Sequence, residues 1–579
     1  RMAYVRENHW KLTHLLNYNQ TFYKHDIGML LGFEEERFVK RTTDTAKLGL
    51  IDSSVGDSSS ATTPSSIGGT GEEFTSRSYF GRINYAFDSR YLFEVNMRYD
   101  GSSRFAPDNR WGLFPSFSAG WRISEERFMK GLPIDNLKLR ASWGKLGNNA
   151  IGNYEWQAVY NSAKYAFGGS LNNGLAITSI SNNLLEWEST AITNIGIDFA
   201  TLRNRLTFEA EFYNKVTDGI LYRPDMYMSL GTASGPRQNI AEVTNRGIEM
   251  TLNWQDRIGK VEYRVSGNFA YNQNKVSKYK GELQRGWVTD ENGNRVYQTN
   301  IGDVSTGGST RVIEGKMINE YYMLQPYKGS GNGFNADGTV NINGGPRDGM
   351  IRTVDDMKWL NAMVGAGYKF YPRQNVSKSG IWYGDYIYAD LNGDGVYGND
   401  ADNEFQGCSN VPKYNFGLQA SANWKGFDFS MNWSGAAGFK IYYYRLALNS
   451  SATIKGYAIG EAIANDHYFF DPKNPNDPRT NLSSKNPRLT NNSGNDQSGM
   501  TQSSVHLQKG DYIKLKNLTI GYTLPAVLSK KVYAQNIRFF ASGENLFTIT
   551  GYEGMDPEMR TAVGYSTMRQ YAFGVNITF

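Results

Sequence analysis

The chain has 579 residues, 20% of them charged, and its 61 Lys and Arg leave a formal net charge of only +5. That balance, with the basic residues dispersed, gives no nucleic-acid footprint, and no stretch approaches the roughly 20 apolar residues of a membrane-spanning helix. The 38 Tyr, 30 Phe, 12 Trp and 62 Gly instead suit short strands with interfacial aromatics and many turns.

Alternation of apolar and polar residues predicts strands near 8–19, 24–38, 76–87, 90–101, 113–124, 136–147, 191–202, 205–216, 241–255, 261–274, 413–424, 427–437, 510–524, 536–548 and 569–579. In the fourth, Tyr91, Phe93, Val95, Met97 and Tyr99 oppose Leu92, Glu94, Asn96, Arg98 and Asp100. In the last, Tyr571, Phe573, Val575, Ile577 and Phe579 share one face, and the chain ends on an aromatic residue.

A soluble sandwich alternates in the same way, so periodicity does not choose between sandwich and barrel. Loop lengths do. Tight or modest turns at 88–90, 124–136, 202–205, 256–260, 425–426 and 525–536 alternate with long connections at 39–75, 148–190, 217–240, 275–412, 438–509 and 549–568. Short turns at one end and long loops at the other predict an all-β, transmembrane antiparallel β-barrel with short periplasmic turns and long extracellular loops. Such a barrel normally has an even number of strands. About 15 are found, so at least one more is expected upstream, and 1–579 is read as the C-terminal part of a larger barrel whose leader lies outside this sequence.

The Ser/Thr/Gly-rich stretch Asp52 to Gly71 reads as a mobile surface loop. The longest loop, 275–412, is too long to be structureless and is expected to carry a small sheet or lid of its own. Within it, Asp390-x-Asn392-x-Asp394-Gly395-Val396 has the oxygen spacing of a calcium loop, with Val396 offering its carbonyl. The twelfth position is Ala401, flanked by Asp400 and Asp402 as candidate last ligands, and the alternative is a turn rich in Asn, Asp and Gly that binds nothing. Loop aromatics, among them Trp287, Trp359, Trp382, Tyr383, Tyr442, Tyr443 and Tyr444, either stack on a solute or partner or pack the loops on one another.

Charges such as Glu94, Arg98, Arg140, Asp198 and Glu211 lie opposite the apolar faces and should line a lumen. Cys408 stands alone and reads as a packed thiol, and the five histidines have no zinc spacing. With no GxSxG and no Walker loop, an enzyme is not expected.

Several motifs, in order along the chain, resemble the SusC/RagA family of TonB-dependent outer-membrane transporters. They include Ser78-Tyr79-Phe80-Gly81-Arg82, Arg98-Tyr99-Asp100-Gly101-Ser102, Phe114-Pro115-Ser116 with Gly120-Trp121-Arg122, Leu139-Arg140-Ala141-Ser142-Trp143-Gly144 and Asn245-Arg246-Gly247. Further on come Gly384-Asp385, Pro412-Lys413-Tyr414-Asn415-Phe416-Gly417, Tyr512-Ile513-Lys514-Leu515-Lys516-Asn517, Asn545-Leu546-Phe547-Thr548 and Asp556-Pro557-Glu558. The resemblance implies a barrel of about 22 strands and a plug, absent from this sequence, through which TonB supplies energy. It also implies a SusD-like surface lipoprotein as lid, and import of oligosaccharides, or of peptides, across the outer membrane of a Gram-negative bacterium. A dimer of transporter–lid pairs is left open. The rival readings are a passive porin and a surface adhesin or hydrolase built on a barrel.

Overall fold

Aromatic and β-branched residues alternating with polar ones fit a pleated surface whose two sides meet different surroundings. The computed structural model describes residues 2–50, 60–222, 237–279, 286–289, 295–298, 310–311, 314–371, 375–443, 461–489, 503–560 and 565–579. Its main sheet has 15 strands: β1 Met2–Phe22, β2 His25–Leu50, β3 Ala61–Phe87, β4 Tyr91–Ser102, β5 Trp111–Arg122, β6 Ile134–Asn148, β7 Glu188–Thr201 and β8 Leu206–Tyr222 come first. They are followed by β9 Gln238–Ile258, β10 Val261–Tyr279, β11 Tyr414–Trp424, β12 Phe427–Ala437, β13 Tyr512–Thr523, β14 Asn536–Thr550 and β15 Gln570–Thr578. Order in the sheet is order in the chain, an antiparallel meander, and every strand predicted from alternation is present. The chain divides into two units, Arg1–Met250 with Ser277–Gly281, and Thr251–Val276 with Glu282–Phe579.

From β4 to β7 in the first unit, large apolar members of the alternation are the exposed ones. Phe93, Met97 and Tyr99 of β4, Phe117 and Trp121 of β5, Leu139 and Trp143 of β6 and Ile195 of β7 all face outward, Ile195 with 59% of its surface free. Neighbouring rings meet across strands, Phe117 with Trp143 at 6.0 Å and Tyr99 with Trp111 at 4.7 Å. The opposite face is ion-paired: Lys11 with Glu34 at 2.9 Å, Arg98 with Asp100 at 2.7 Å, and Arg140 with Asp198 at 3.0 Å and with Glu211. A sheet that hides its apolar side in a core shows the reverse.

The second unit repeats the pattern. Phe427, Ile520, Phe539, Phe573 and Val575 are exposed on one face, while Asp428 and Arg538 pair at 2.6 Å on the other. Short turns hold the strands in register. Lys425 and Gly426 both take positive φ, +48° and +90°, in a two-residue hairpin that closes the Trp424–Phe427 pair, a geometry that matches the right-handed twist of the strands it joins.

Three connections differ from the sequence reading. Most of 39–75 is strand, because β2 and β3 continue their ladder from Arg41 opposite Gly71 to Leu48 opposite Thr63; Thr is a good strand residue, and the pairing carries serines and three glycines with it. The stretch read as a mobile loop is thus sheet from Ala61 to Gly71, while its 52–59 part lies outside the described residues. The 148–190 connection carries a hairpin, Val159–Phe167 against Ser170–Ser179, turned by Gly168 and Gly169 at φ +55° and +79°. β8 runs on to Tyr222, past the end read at 216.

The exposed apolar face generates a direct test. Ile195→Arg, at mid-strand on that face, should lower stability by about 2–4 kcal/mol if the face meets lipid, and by no more than about 0.5 kcal/mol if it meets water. The midpoint of the heat-modifiable gel shift, compared with Asn194→Arg on the ion-paired face, distinguishes the two.

Candidate functional site

Within the second unit, the chain between β10 and β11 builds a module of its own. Thr310–Arg311, Glu320–Met323 and Glu404–Ser409 form a three-stranded sheet, and Lys369–Phe370 pairs in parallel with Val396–Tyr397. Between them α1, Val354–Gly365, starts on a capping box: Thr353 Oγ1 accepts the Asp356 N–H at 3.1 Å, and Asp356 Oδ2 accepts the Thr353 N–H at 2.9 Å. Its buried residues Met357, Leu360 and Met363 recur every third position and face the core of the module.

That core is aromatic. Trp359 is fully buried, donates its indole N–H to the Asn341 carbonyl at 2.8 Å and stacks on Tyr327 at 5.2 Å. Tyr383, Tyr386 and Tyr388 are buried beside it, and burial pushes the Tyr386 hydroxyl up to about 12. Of the loop aromatics singled out by sequence, Trp359, Tyr383 and Tyr442 therefore serve packing, and Tyr443 is half-buried against Tyr552 at 5.3 Å. Trp382 and Tyr383 also line a cavity. Tyr444 and the Trp287 side chain lie outside the described residues.

The turn from Asp390 to Asp402 closes on itself. Asp390 accepts the Gly393 N–H at 2.6 Å and the Gly395 N–H at 2.9 Å, Asn392 accepts from Asp394 at 3.1 Å, and Asp394 accepts from Val396 at 2.7 Å. Asp402, fully buried, accepts from Leu391, Gly398 and Asn399 at 2.7, 2.8 and 3.1 Å. Burial pushes its carboxyl up to about 6, against those hydrogen bonds and with help from the neighbouring Asp390 charge. Asp400 stands in the short helical turn just before it. No basic side chain pairs with Asp390, Asp394, Asp400 or Asp402 among the described residues, and none of their His, Cys, Asp and Glu groups is arranged as a ready metal cluster. The sequence spacing thus brings the four acids into one turn, and backbone N–H groups engage the carboxylates of Asp390, Asp394 and Asp402.

Sequence reasoning did not reach the cavity next to this core, about 720 Å³ and lined by Trp382, His467, Phe469, Phe470, Arg479 and Asn481 among others. One wall comes from 375–388 and the other from 461–489, and an ion pair joins them. Arg488 grips Asp385 through both guanidinium arms, Nε at 2.8 Å and Nη2 at 2.9 Å, and also donates to the Lys378 carbonyl at 3.1 Å. Asp385 is 1% exposed and accepts the Trp382 N–H as well. Gly384 before it has φ +87°, and a Cβ there would stand 2.4 Å from the Tyr468 ring, so the close approach requires glycine. Gly384-Asp385 was visible as a motif; its partner, 103 residues away, had no local signal.

Cutting that pair tests the module. Arg488→Met takes the guanidinium away from the buried Asp385 carboxylate, at a cost of about 3–5 kcal/mol. The expected result is rapid proteolytic cleavage within 375–489 while the heat-modifiable shift of the sheet is unchanged.

A family model described as TonB dependent receptor-like, beta-barrel, matches residues 3–546. A TonB-dependent receptor of Formosa agariphila is 30% identical over 97% of this chain and 52% of its own length. The TonB-dependent receptor SusC of Bacteroides thetaiotaomicron is 28% identical over 87% of this chain and 43% of its own length. The chain spans about half the length of the curated relatives it matches. Among solved structures, the RagAB peptide transporter superposes on all of this chain and 56% of that one, with a TM-score of 0.74 and 21% identity.

Proposed function

The chain belongs to the TonB dependent receptor-like β-barrel family, and from that premise we propose that it forms the wall and outer loops of an active importer of oligosaccharides or peptides. It is an outer-membrane barrel protein of a Gram-negative bacterium, and its family is one of transporters and receptors rather than enzymes. In this reading a SusD-like lipoprotein covers the loops, a plug supplied from outside this sequence closes the lumen, and TonB moves that plug.

The observation that carries the proposal is the reversed sheet, greasy where it is exposed and ion-paired on the other side. Lys138 and Arg140 meet Asp198, and Arg98 meets both Glu34 and Asp100, so the inner face is a lattice of mixed sign. Such a face suits contact with a polar plug better than a path selective for one ion. The aromatic cavity of the loop module, with amide and hydroxyl groups from Asn465, Asn481 and Thr480 among its rings, suits a sugar first and a peptide side chain second.

Deleting the gene should abolish growth on one polymeric nutrient and uptake of its labelled oligomer. Uptake that survives loss of TonB identifies a passive porin instead. Surface binding or cleavage of the polymer, with uptake unaffected by the deletion, identifies an adhesin or hydrolase.

Calcium belongs to the same proposal, held by Asp390, Asn392, Asp394 and the Val396 carbonyl, with Asp400 or Asp402 completing the set. The support is four clustered acids without a basic partner among the described residues, one of them buried. Because the Asp402 carboxyl is raised, its ionisation costs stability as pH rises through about 6, and a bound cation would offset that cost. Millimolar calcium should therefore slow proteolysis of the module at pH 7 more than at pH 5, and Asp390→Asn with Asp394→Asn should remove the effect. No protection, or protection that survives both substitutions, leaves a plain turn.

A further inference from the structure

The outer-membrane reading above is the premise here, but the site lies at the other end of the second unit, at the turn between β13 and β14. That turn is firmly held. Leu528 N–H bonds the Pro525 carbonyl at 2.8 Å, Ala534 bonds Ser529 at 3.1 Å, and Gln535 ties the turn to Thr578 of β15 at 2.7 Å. Ser529 and Ala534 are buried inside it. Yet it displays Val527, Leu528, Val532 and Tyr533, the last two at 57% and 91% exposure. Lys530 and Lys531 stand among them, exposed and without an ion pair among the described residues. An ordered turn in water carries polar residues; apolar side chains around two free cations are the composition of a membrane-interface anchor.

Beside the turn, a groove of about 500 Å³ opens along the exposed face. The register places Tyr522, Phe539 and Val575 in one row and Ile520, Ala541 and Phe573 in the next. Phe427 packs on Tyr522 at 4.5 Å to close one side. The groove is on the face away from the Asp428–Arg538 pair, continuous with the apolar band of the sheet, and its near end is where Leu524 N–H meets the Ile537 carbonyl at the mouth of the turn. Short turns of such barrels lie on the periplasmic side.

We propose that this groove and turn hold one anionic phospholipid of the inner leaflet, an acyl chain along Phe539, Phe573 and Val575 and the headgroup phosphate at Lys530 and Lys531. Charge complementarity selects the headgroup, and continuity with the lipid-facing band selects the chain. A protein partner would leave the band of the neighbouring strands uncovered, whereas lipid covers both.

Native mass spectrometry of the complete, detergent-purified transporter, equilibrated with equimolar phosphatidylglycerol and phosphatidylethanolamine, reads this out. Wild type should retain phosphatidylglycerol with a preference of about tenfold, from the attraction that each juxtamembrane lysine contributes. Lys530→Gln with Lys531→Gln should abolish the preference and keep the heat-modifiable shift, and Val527→Ser with Val532→Ser should weaken retention of both lipids alike. A preference unchanged by the lysine pair, or bound lipopolysaccharide in place of phospholipid, overturns the proposal. Failed uptake with lipid preference intact counts against the transport reading alone.

Discussion

In hydrocarbon no water is available for a backbone N–H or C=O, so a chain that crosses lipid as strands must bond every one of them to a neighbouring strand. Everything else in the sheet follows from that demand. Pairing fixes register, and register fixes which side chains face lipid, since a slip of one residue would turn Ile195 inward and Asp198 outward together. The turns absorb the cost. Asp88 and Ser89 both sit at φ +53°, and Leu202, Arg203 and Asn204 all take positive φ, each a departure worth about a kcal/mol or more that persists only because the ladders on either side leave the chain no other way back.

Because the demand is periodic, the fold was legible in the sequence. Period-2 alternation located all 15 strands, and the alternation of short and long connections separated barrel from sandwich where periodicity did not. The misreading of 39–75 shows the limit of that logic. Thr70, Gly69 and Gly68 have little hydrophobic contrast, yet they pair residue by residue with Thr42, Thr43 and Asp44. Beyond the membrane both faces of a strand meet water, so alternation has nothing to record and only the partner strand reveals the ladder.

The candidate site divides along the same line between local and non-local information. The Asp390 to Asp402 turn was readable because Asx side chains act on backbone a few residues away, and that is where their oxygens are found. Neither the cavity nor the Arg488–Asp385 clamp was readable, since each joins segments about a hundred residues apart. The aromatics fell between. Sequence could place Trp359 in a loop, but only its neighbours show that it is fully buried there: a Cβ on Gly345 would stand 2.5 Å from its ring.

Wall and loop module are therefore stabilised by opposite arrangements of the same residue types. The wall turns its rings outward and depends on lipid to cover them. The module buries Trp359, Phe370, Tyr388 and Tyr468 in a core of the kind found in water-soluble domains, which holds whether or not lipid is present. A solute-contacting surface on such a module can change residue by residue without disturbing the alternation that the strands need. The clamp shows how the separation is achieved: Arg488 closes on Asp385 across the cavity and Tyr468 donates to the Arg352 carbonyl at 2.6 Å, two bonds that involve no residue of the 15-stranded sheet.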